Sequence, residues 1–436
     1  MNLDKTGLTR RNLLKGAGAA TLLPMLSACG ATAVSSGTAG HVVVVGGGFG
    51  GATAAKYIKR ANPAIAVTLI EPKKTFYTCP FSNLVLAGER SMEAIGHNYQ
   101  ELKEVYGVTV IHAYAEDVDP VAHKVKLSTG QQLRYDRLVL SPGIDIRWDA
   151  LEGYDQAAAQ HAPHAWQAGE QTRLLRRQLE AMEDGETFIL SAPANPFRCP
   201  PGPYERASLI AHYFSQHKPR SKVLILDSKD GFSKQGLFTS AWQELYGDRI
   251  EWVGLSGDGR VMRVDAEKRQ VETEFGSIHQ AGVLNVVPPQ KAGKIAERAG
   301  VTNASGWVPV NPRTFESEQA ADIYVVGDAT IATPMPKSGF AANAQGKVAA
   351  AAIVASLEGT SVVDPYWANT CYSLVNPQQG ISVAGVYRLE NEEIISVPGS
   401  GGLSASDAPL STRQTEAEYA VGWYNAISQD TWGTRY

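Results

Sequence analysis

Cysteine is scarce in this chain: four in 436 residues, at positions 29, 79, 199 and 371, and none sits in a Cys-x-x-Cys-His arrangement. That arrangement attaches a c-type haem, so the chain carries no such haem of its own. Blocks of basic residues are lacking, and the formal net charge is −4, which removes the electrostatic footprint of a nucleic-acid binder. Long apolar runs are lacking too. The run at 16–28 spans about 13 residues, short of the ~20 that a helix needs to cross a bilayer, so no transmembrane segment is expected. No residues are assigned to a metal. What remains is ordinary: 44% hydrophobic and 19% charged residues exclude a fibre or a disordered chain. A length of 436 exceeds a single core, so at least two domains are expected.

The N-terminus reads as an address. Thr9-Arg10-Arg11-Asn12-Leu13-Leu14-Lys15 followed by the apolar run is a twin-arginine export pattern. The expected location is therefore the periplasm, entered already folded. Leu26-Ser27-Ala28-Cys29 has the form of a lipoprotein cleavage box, with Cys29 as the lipidated first residue; cleavage near residues 31–33, leaving a soluble protein, fits the same stretch. With Cys29 in the signal, three cysteines remain, an odd number in an oxidising compartment. One pair can bridge, and the third thiol must be buried or occupied.

His41-Val42-Val43-Val44-Val45 is a β-branched run suited to a strand covered on both faces. Gly46-Gly47-Gly48-Phe49-Gly50-Gly51 follows, residues 52–60 read as a helix, and a second strand at 66–70 ends in Glu71. The spacing of Gly46, Gly48 and Gly51 between strand and helix, with an acid 20 residues on, is a dinucleotide fingerprint. The glycines let backbone approach a pyrophosphate at the helix N-terminus, and Glu71 accepts from ribose hydroxyls.

Two later segments separate FAD from NAD. Arg137-Leu138-Val139-Leu140-Ser141-Pro142-Gly143 is a strand breaking into a turn, and Ile323-Tyr324-Val325-Val326-Gly327-Asp328 is a buried strand ending in Gly-Asp, which resembles the pair that contacts the ribityl chain of FAD in two-dinucleotide flavoproteins. Their order, with ~180 residues between them, resembles the glutathione-reductase-type fold, in which a second Rossmann-like domain interrupts the FAD domain. Inside the interruption, strands at 187–190 and 222–227 flank a helix at 204–216. A nicotinamide site would show another glycine loop after the first of these strands. This chain has Ala192-Pro193-Ala194-Asn195-Pro196-Phe197-Arg198-Cys199-Pro200-Pro201-Gly202-Pro203 instead. Proline offers no N–H and stiffens its neighbours, which argues against NAD(P)H and disfavours a type II NADH dehydrogenase.

Beyond Asp328, Met335-Pro336-Lys337-Ser338-Gly339 leads into a small-residue helix at 340–356, whose N-terminus, assisted by Lys337, is a candidate for stabilising charge on a reduced flavin. In the last region, Asn369-Thr370-Cys371-Tyr372 precedes a short strand at 381–383, and a Gly/Ser-rich loop at 398–407 leads to a final helix. Ser411 and Gln414 suit a capping box there, with Tyr419, Trp423 and Ile427 on one face.

Four stretches carry a closer likeness: Phe76-Tyr77-Thr78-Cys79; Phe197 through Ser208; Pro334-Met335-Pro336-Lys337-Ser338-Gly339; and Asn369-Thr370-Cys371-Tyr372-Ser373. On these the chain resembles the flavoprotein subunit of flavocytochrome c sulfide dehydrogenase across nearly all of its length beyond the signal. The resemblance implies an α/β fold of two Rossmann-like dinucleotide-binding domains of glutathione-reductase type plus a small C-terminal α+β region. Expected bounds are a leader at 1–34, an FAD domain at 35–155 and 291–360, an inserted domain at 156–290, and a C-terminal region at 361–436. It also implies FAD held by an 8α thioether to Cys79, and a redox disulfide between Cys199 and Cys371. Hydrosulfide would open that disulfide, and electrons would leave to a haem on a separate c-type cytochrome subunit. Glu205 has two readings: a proton acceptor, or a helix N-terminal acid satisfying the dipole. Competing readings are a sulfide:quinone oxidoreductase, which normally has an amphipathic membrane segment that residues 422–436 lack, and an accessory flavoprotein of a sulfur-oxidising complex.

Overall fold

The structure is a computed structural model and describes residues 39–433. The twin-arginine segment and Cys29 lie outside the described residues.

Val42 to Val45 are all buried, as a strand covered on both faces requires. The strand His41–Val45 lies at the centre of a five-stranded parallel sheet, between Arg137–Leu140 and Ala66–Ile70, with Ile323–Val325 and Thr109–Ile111 outermost. Helix Phe49–Ala61 packs against helix Gly339–Glu358, and small residues set how closely. A Cβ on Gly346 would stand 2.5 Å from the carbonyl oxygen of Gly50. Among the described residues Gly339–Glu358 is the one helix long and apolar enough to cross a membrane, and most of it is buried in protein.

A second parallel sheet runs Ile250–Val253, Lys222–Asp227, Thr187–Ala192 and Val283–Val286 in spatial order. Helix Gly202–His217 connects two of its strands and starts in the proline-rich loop, with Pro203 at its first turn, where a missing N–H is tolerated. A buried cluster stands where this sheet would take a nucleotide ribose. Asp227 is fully buried and accepts from Tyr204 Oη (2.6 Å), Trp252 Nε1 (3.0 Å) and Lys229 Nζ (2.5 Å).

The C-terminal region is built on a long antiparallel hairpin, Tyr366–Asn376 with Gln379–Glu390, which sets Cys371 opposite Val383. The expected strand at 381–383 is thus the middle of a twelve-residue strand. Helix Leu410–Trp432 packs on this hairpin, and two expectations about it are corrected. Pro409, already at φ −65°, starts the helix ahead of Ser411, so Ser411 lies inside it and no capping box forms. The buried face is Ala417, Ala420, Tyr424 and Ile427, which leaves Tyr419 59% exposed. The far end of the helix is pinned by Lys56, whose Nζ donates to the carbonyls of Gln429, Asp430 and Gly433 at 3.2, 2.6 and 2.6 Å.

Candidate functional site

A cavity of about 770 Å³ opens at the C-terminal ends of the strands of the first sheet, the usual ligand position in such sheets. Its floor is the glycine loop. Gly46 has φ +99°, and a Cβ there would come 2.2 Å from the carbonyl oxygen of Ser141; one on Gly51 would come 2.0 Å from that of Gly46. A Cβ on Gly48 would press on the Phe76 ring at 3.2 Å. At Gly46 and Gly51 the obstruction is backbone, so only glycine fits; at Gly48 the Phe76 ring would have to shift. Glu71 is buried at the end of its strand, where Oε2 accepts the Gly47 N–H at 2.9 Å and Oε1 that of Lys73 at 3.0 Å.

Gly143 (φ +65°) and Gly327 (φ +83°) turn the chain on the opposite wall. Beside them Asp328 accepts from Arg198 Nε through Oδ2 at 2.7 Å, while its Oδ1 is buried with no partner. The Tyr99 hydroxyl, next to Gly47, is buried without a partner as well. A buried acceptor left unpaired costs about 1–3 kcal/mol, so orphaned groups beside a glycine cradle mark where a polar ligand belongs. The residues present fit a dinucleotide such as FAD.

The three cysteines reach this cavity from distant segments. Cys79 lies on the turn after Phe76–Tyr77, held by Thr78, whose hydroxyl bonds the Pro80 carbonyl at 2.9 Å and the Tyr424 hydroxyl at 2.8 Å. Cys199 has φ +56°, a left-handed backbone, and its N–H donates to the Lys337 carbonyl at 2.9 Å. Cys371 comes from the long hairpin. All three are free thiols that line the cavity. The interaction between Cys79 and Cys199 favours charge on Cys79, lowering it, and together with burial raises Cys199. Cys371 is within electrostatic reach of both. No disulfide is present among the described residues.

Glu205 is raised above the ordinary carboxyl range by burial, against two donors: the Leu374 N–H at 2.9 Å to Oε1 and Asn83 Nδ2 at 2.8 Å to Oε2. Both sequence readings therefore meet here, an acid in the first helical turn whose carboxyl also lines the cavity. Lys337 lines the cavity as well. Its ammonium donates to the carbonyls of Asp328 (2.8 Å) and Thr330 (2.7 Å) over the Trp307 ring, and burial lowers it to about 8. Two of its three protons thus serve the loop's own backbone.

Sequence reasoning missed three charged residues. Arg198 pairs with Asp328. Arg206 is buried over Trp166 and spends its guanidinium on Asn83, Asn285 and the carbonyls of His164 and Ala165. Lys234 is buried beside Cys371. The two arginines lie inside the motif around Cys199, which was their only signal; Lys234 stands in a loop with no periodic pattern. Among the described residues no cluster of His, Cys, Asp and Glu could hold a metal ion.

Comparison with known proteins places three family models on the chain. One described as the central part of the sulfide dehydrogenase [flavocytochrome c] flavoprotein chain matches residues 172–288. Another, flavocytochrome c sulphide dehydrogenase, flavin-binding, matches 363–432, and a pyridine nucleotide-disulphide oxidoreductase model matches 40–181. The sulfide dehydrogenase [flavocytochrome c] flavoprotein chain of Chlorobaculum thiosulfatiphilum is 68% identical over 45 residues, which cover 10% of this chain and 94% of that sequence. The mitochondrial sulfide:quinone oxidoreductase of Mus musculus is 23% identical over 313 residues, 70% of this chain and 68% of the mouse protein. In fold, the sulfide:quinone oxidoreductase of Aquifex aeolicus superposes with a TM-score of 0.70 at 20% identity, covering 90% of this chain and 92% of that one.

Proposed function

The chain belongs to the family of flavocytochrome c sulfide dehydrogenase flavoprotein chains, FAD-binding proteins that oxidise sulfide, and from that premise we propose that it oxidises hydrosulfide through a Cys199–Cys371 disulfide and delivers the electrons to a c-type cytochrome. The observation that carries this reading is the meeting of Cys79, Cys199 and Cys371 in one cavity with the glycine cradle.

In this reading Gly46, Gly48, Gly51 and Glu71 hold the adenosine pyrophosphate half of FAD, Gly143, Gly327 and Asp328 its flavin half, and Cys79 the ring itself through an 8α thioether. Bound FAD supplies an acceptor that takes an electron pair and gives it up singly. The protein's own chemistry is thiol–disulfide exchange. Hydrosulfide attacks one sulfur of the Cys199–Cys371 bond, the bond breaks, its electron pair leaves on the other sulfur as thiolate, and the attacked cysteine becomes a persulfide. Glu205, raised by burial, is positioned to take a proton in this exchange. The twin-arginine leader implies that the reaction takes place in the periplasm.

A quinone acceptor is the second reading, favoured by the likeness to the mouse and Aquifex sulfide:quinone oxidoreductases. The end of the C-terminal helix does not itself offer a membrane-binding face, since Thr431 and Trp432 are buried in protein. Anaerobic assay of the FAD-loaded protein with sulfide, offering either a c-type cytochrome or a soluble quinone, decides between them. Sulfide-dependent haem reduction is expected; reduction of quinone alone would replace this reading with the second.

A further inference from the structure

Lys234 is a cation that the scheme above leaves without a task. It is 4% exposed, at the start of helix Gln235–Tyr246, with φ +62°. A left-handed backbone is disfavoured at a residue with a Cβ, and the surrounding fold must hold it there. Its Nζ reaches Ser373 Oγ at 2.8 Å and the Cys371 carbonyl at 3.4 Å. Among the described residues no carboxylate pairs with it, although a buried ammonium ordinarily requires an anion.

The neighbouring groups show where that anion can arise. The titratable and charged groups facing Cys371 are Lys234, Glu205 from helix Gly202–His217, and the cysteines Cys79 and Cys199; Glu416 of the C-terminal helix also faces Lys234. Glu205 already accepts from Leu374 and Asn83. Glu416 accepts from Ser382 at 2.9 Å and pairs with Arg413 at 3.0 Å. The sulfur of Cys371 has no such engagement beyond a 3.7 Å contact to the Tyr372 carbonyl.

We propose that Lys234 is a positioning residue of the sulfide site, its buried ammonium favouring the anionic form of the sulfur carried by Cys371. The inference rests on the Cys199–Cys371 reading above. Ionisation of Cys371 releases the thiol proton to water in the cavity and breaks no other bond. The charge serves whether Cys371 is thiolate after the disulfide opens or bears a terminal persulfide anion. Burial raises Cys371 above the ordinary thiol value and lowers Lys234, and the Lys234 charge is the largest attraction opposing the rise at Cys371.

The test is the pH dependence of iodoacetamide alkylation at Cys371 in FAD-loaded protein, in a Cys199→Ser background, read by mass spectrometry of the peptide containing Cys371. Lys234→Gln is expected to shift the midpoint upward by about one unit or more and slow alkylation at neutral pH roughly tenfold, while Lys234→Arg stays near the parent. Lys234→Met, which buries no new polar group, gives the same readout should the glutamine variant fail to fold. A Gln or Met profile superimposed on the parent overturns the proposal. Sulfide turnover of the single variants Cys199→Ser and Cys371→Ser is measured alongside: undiminished turnover there sinks the disulfide reading, while the alkylation result still reports on Lys234.

Discussion

The indole N–H of Trp432 donates to the carbonyl of Gly47 at 3.0 Å, joining residues 385 apart in sequence. The same ring stacks on His97 (4.5 Å between centroids) and leans on Phe49 and Phe76. The end of the C-terminal helix therefore buttresses the loop that must cradle a pyrophosphate. Trp432→Ala is expected to cost about 3–5 kcal/mol of stability and to loosen the glycine loop. Thermal unfolding and FAD retention during gel filtration measure both, and a variant that keeps the parent's melting point and flavin content would show the contact to be incidental.

Covalent attachment makes a simple claim about Cys79. Acid precipitation of the wild-type protein should leave flavin in the pellet, and Cys79→Ser should release it to the supernatant. Wild-type flavin found entirely in the supernatant would remove the thioether.

Burial raises Glu205, and the sign of the pH effect follows. Between the ordinary carboxyl value of about 4.3 and the raised one, the folded protein binds more protons than the unfolded chain, so stability falls as pH rises through that window. If the carboxylate also takes the proton in catalysis, kcat/KM has a limb rising with pH, with a midpoint above the ordinary glutamate range. Glu205→Gln should abolish that limb, leaving only the ionisation of sulfide itself. Superimposable pH profiles would return Glu205 to the role of a helix-end acid.

Arg198 and Asp328 are 19% and 13% exposed at the side chain, so their ion pair is largely shielded from solvent. Removing one partner leaves the other charge buried, at about 3–5 kcal/mol. Arg198→Met should be destabilised by that order, and Arg198→Met with Asp328→Asn by distinctly less. Equal melting points for the two variants would mean that the pair is not coupled.

The parts of the fold set by local pattern were legible from sequence. The valine strand, the glycine turn and the small-residue helix each announce themselves through residues close together in the chain. The long hairpin was read as a fragment, because its partly exposed strands place Asn369, Cys371 and Ser373 where apolar alternation would be sought. The glycines, acids and cysteines of the cavity lining were legible too, because each falls in a compact motif. Lys234 and Trp432 contribute through contacts with residues well over a hundred positions away, and a sequence without structure does not display such contacts. Helix register failed at Ser411 because the proline two positions earlier decides where the helix begins.

The central claim is that the sulfur of sulfide passes through Cys199 and Cys371. The most direct measurement is anaerobic rapid mixing of the flavin-loaded protein with sulfide, following flavin absorbance in the parent and in Cys199→Ser and Cys371→Ser. The account predicts prompt bleaching in the parent and a flavin that stays bound and oxidised in both variants. Bleaching of either variant at the parent's rate would contradict it.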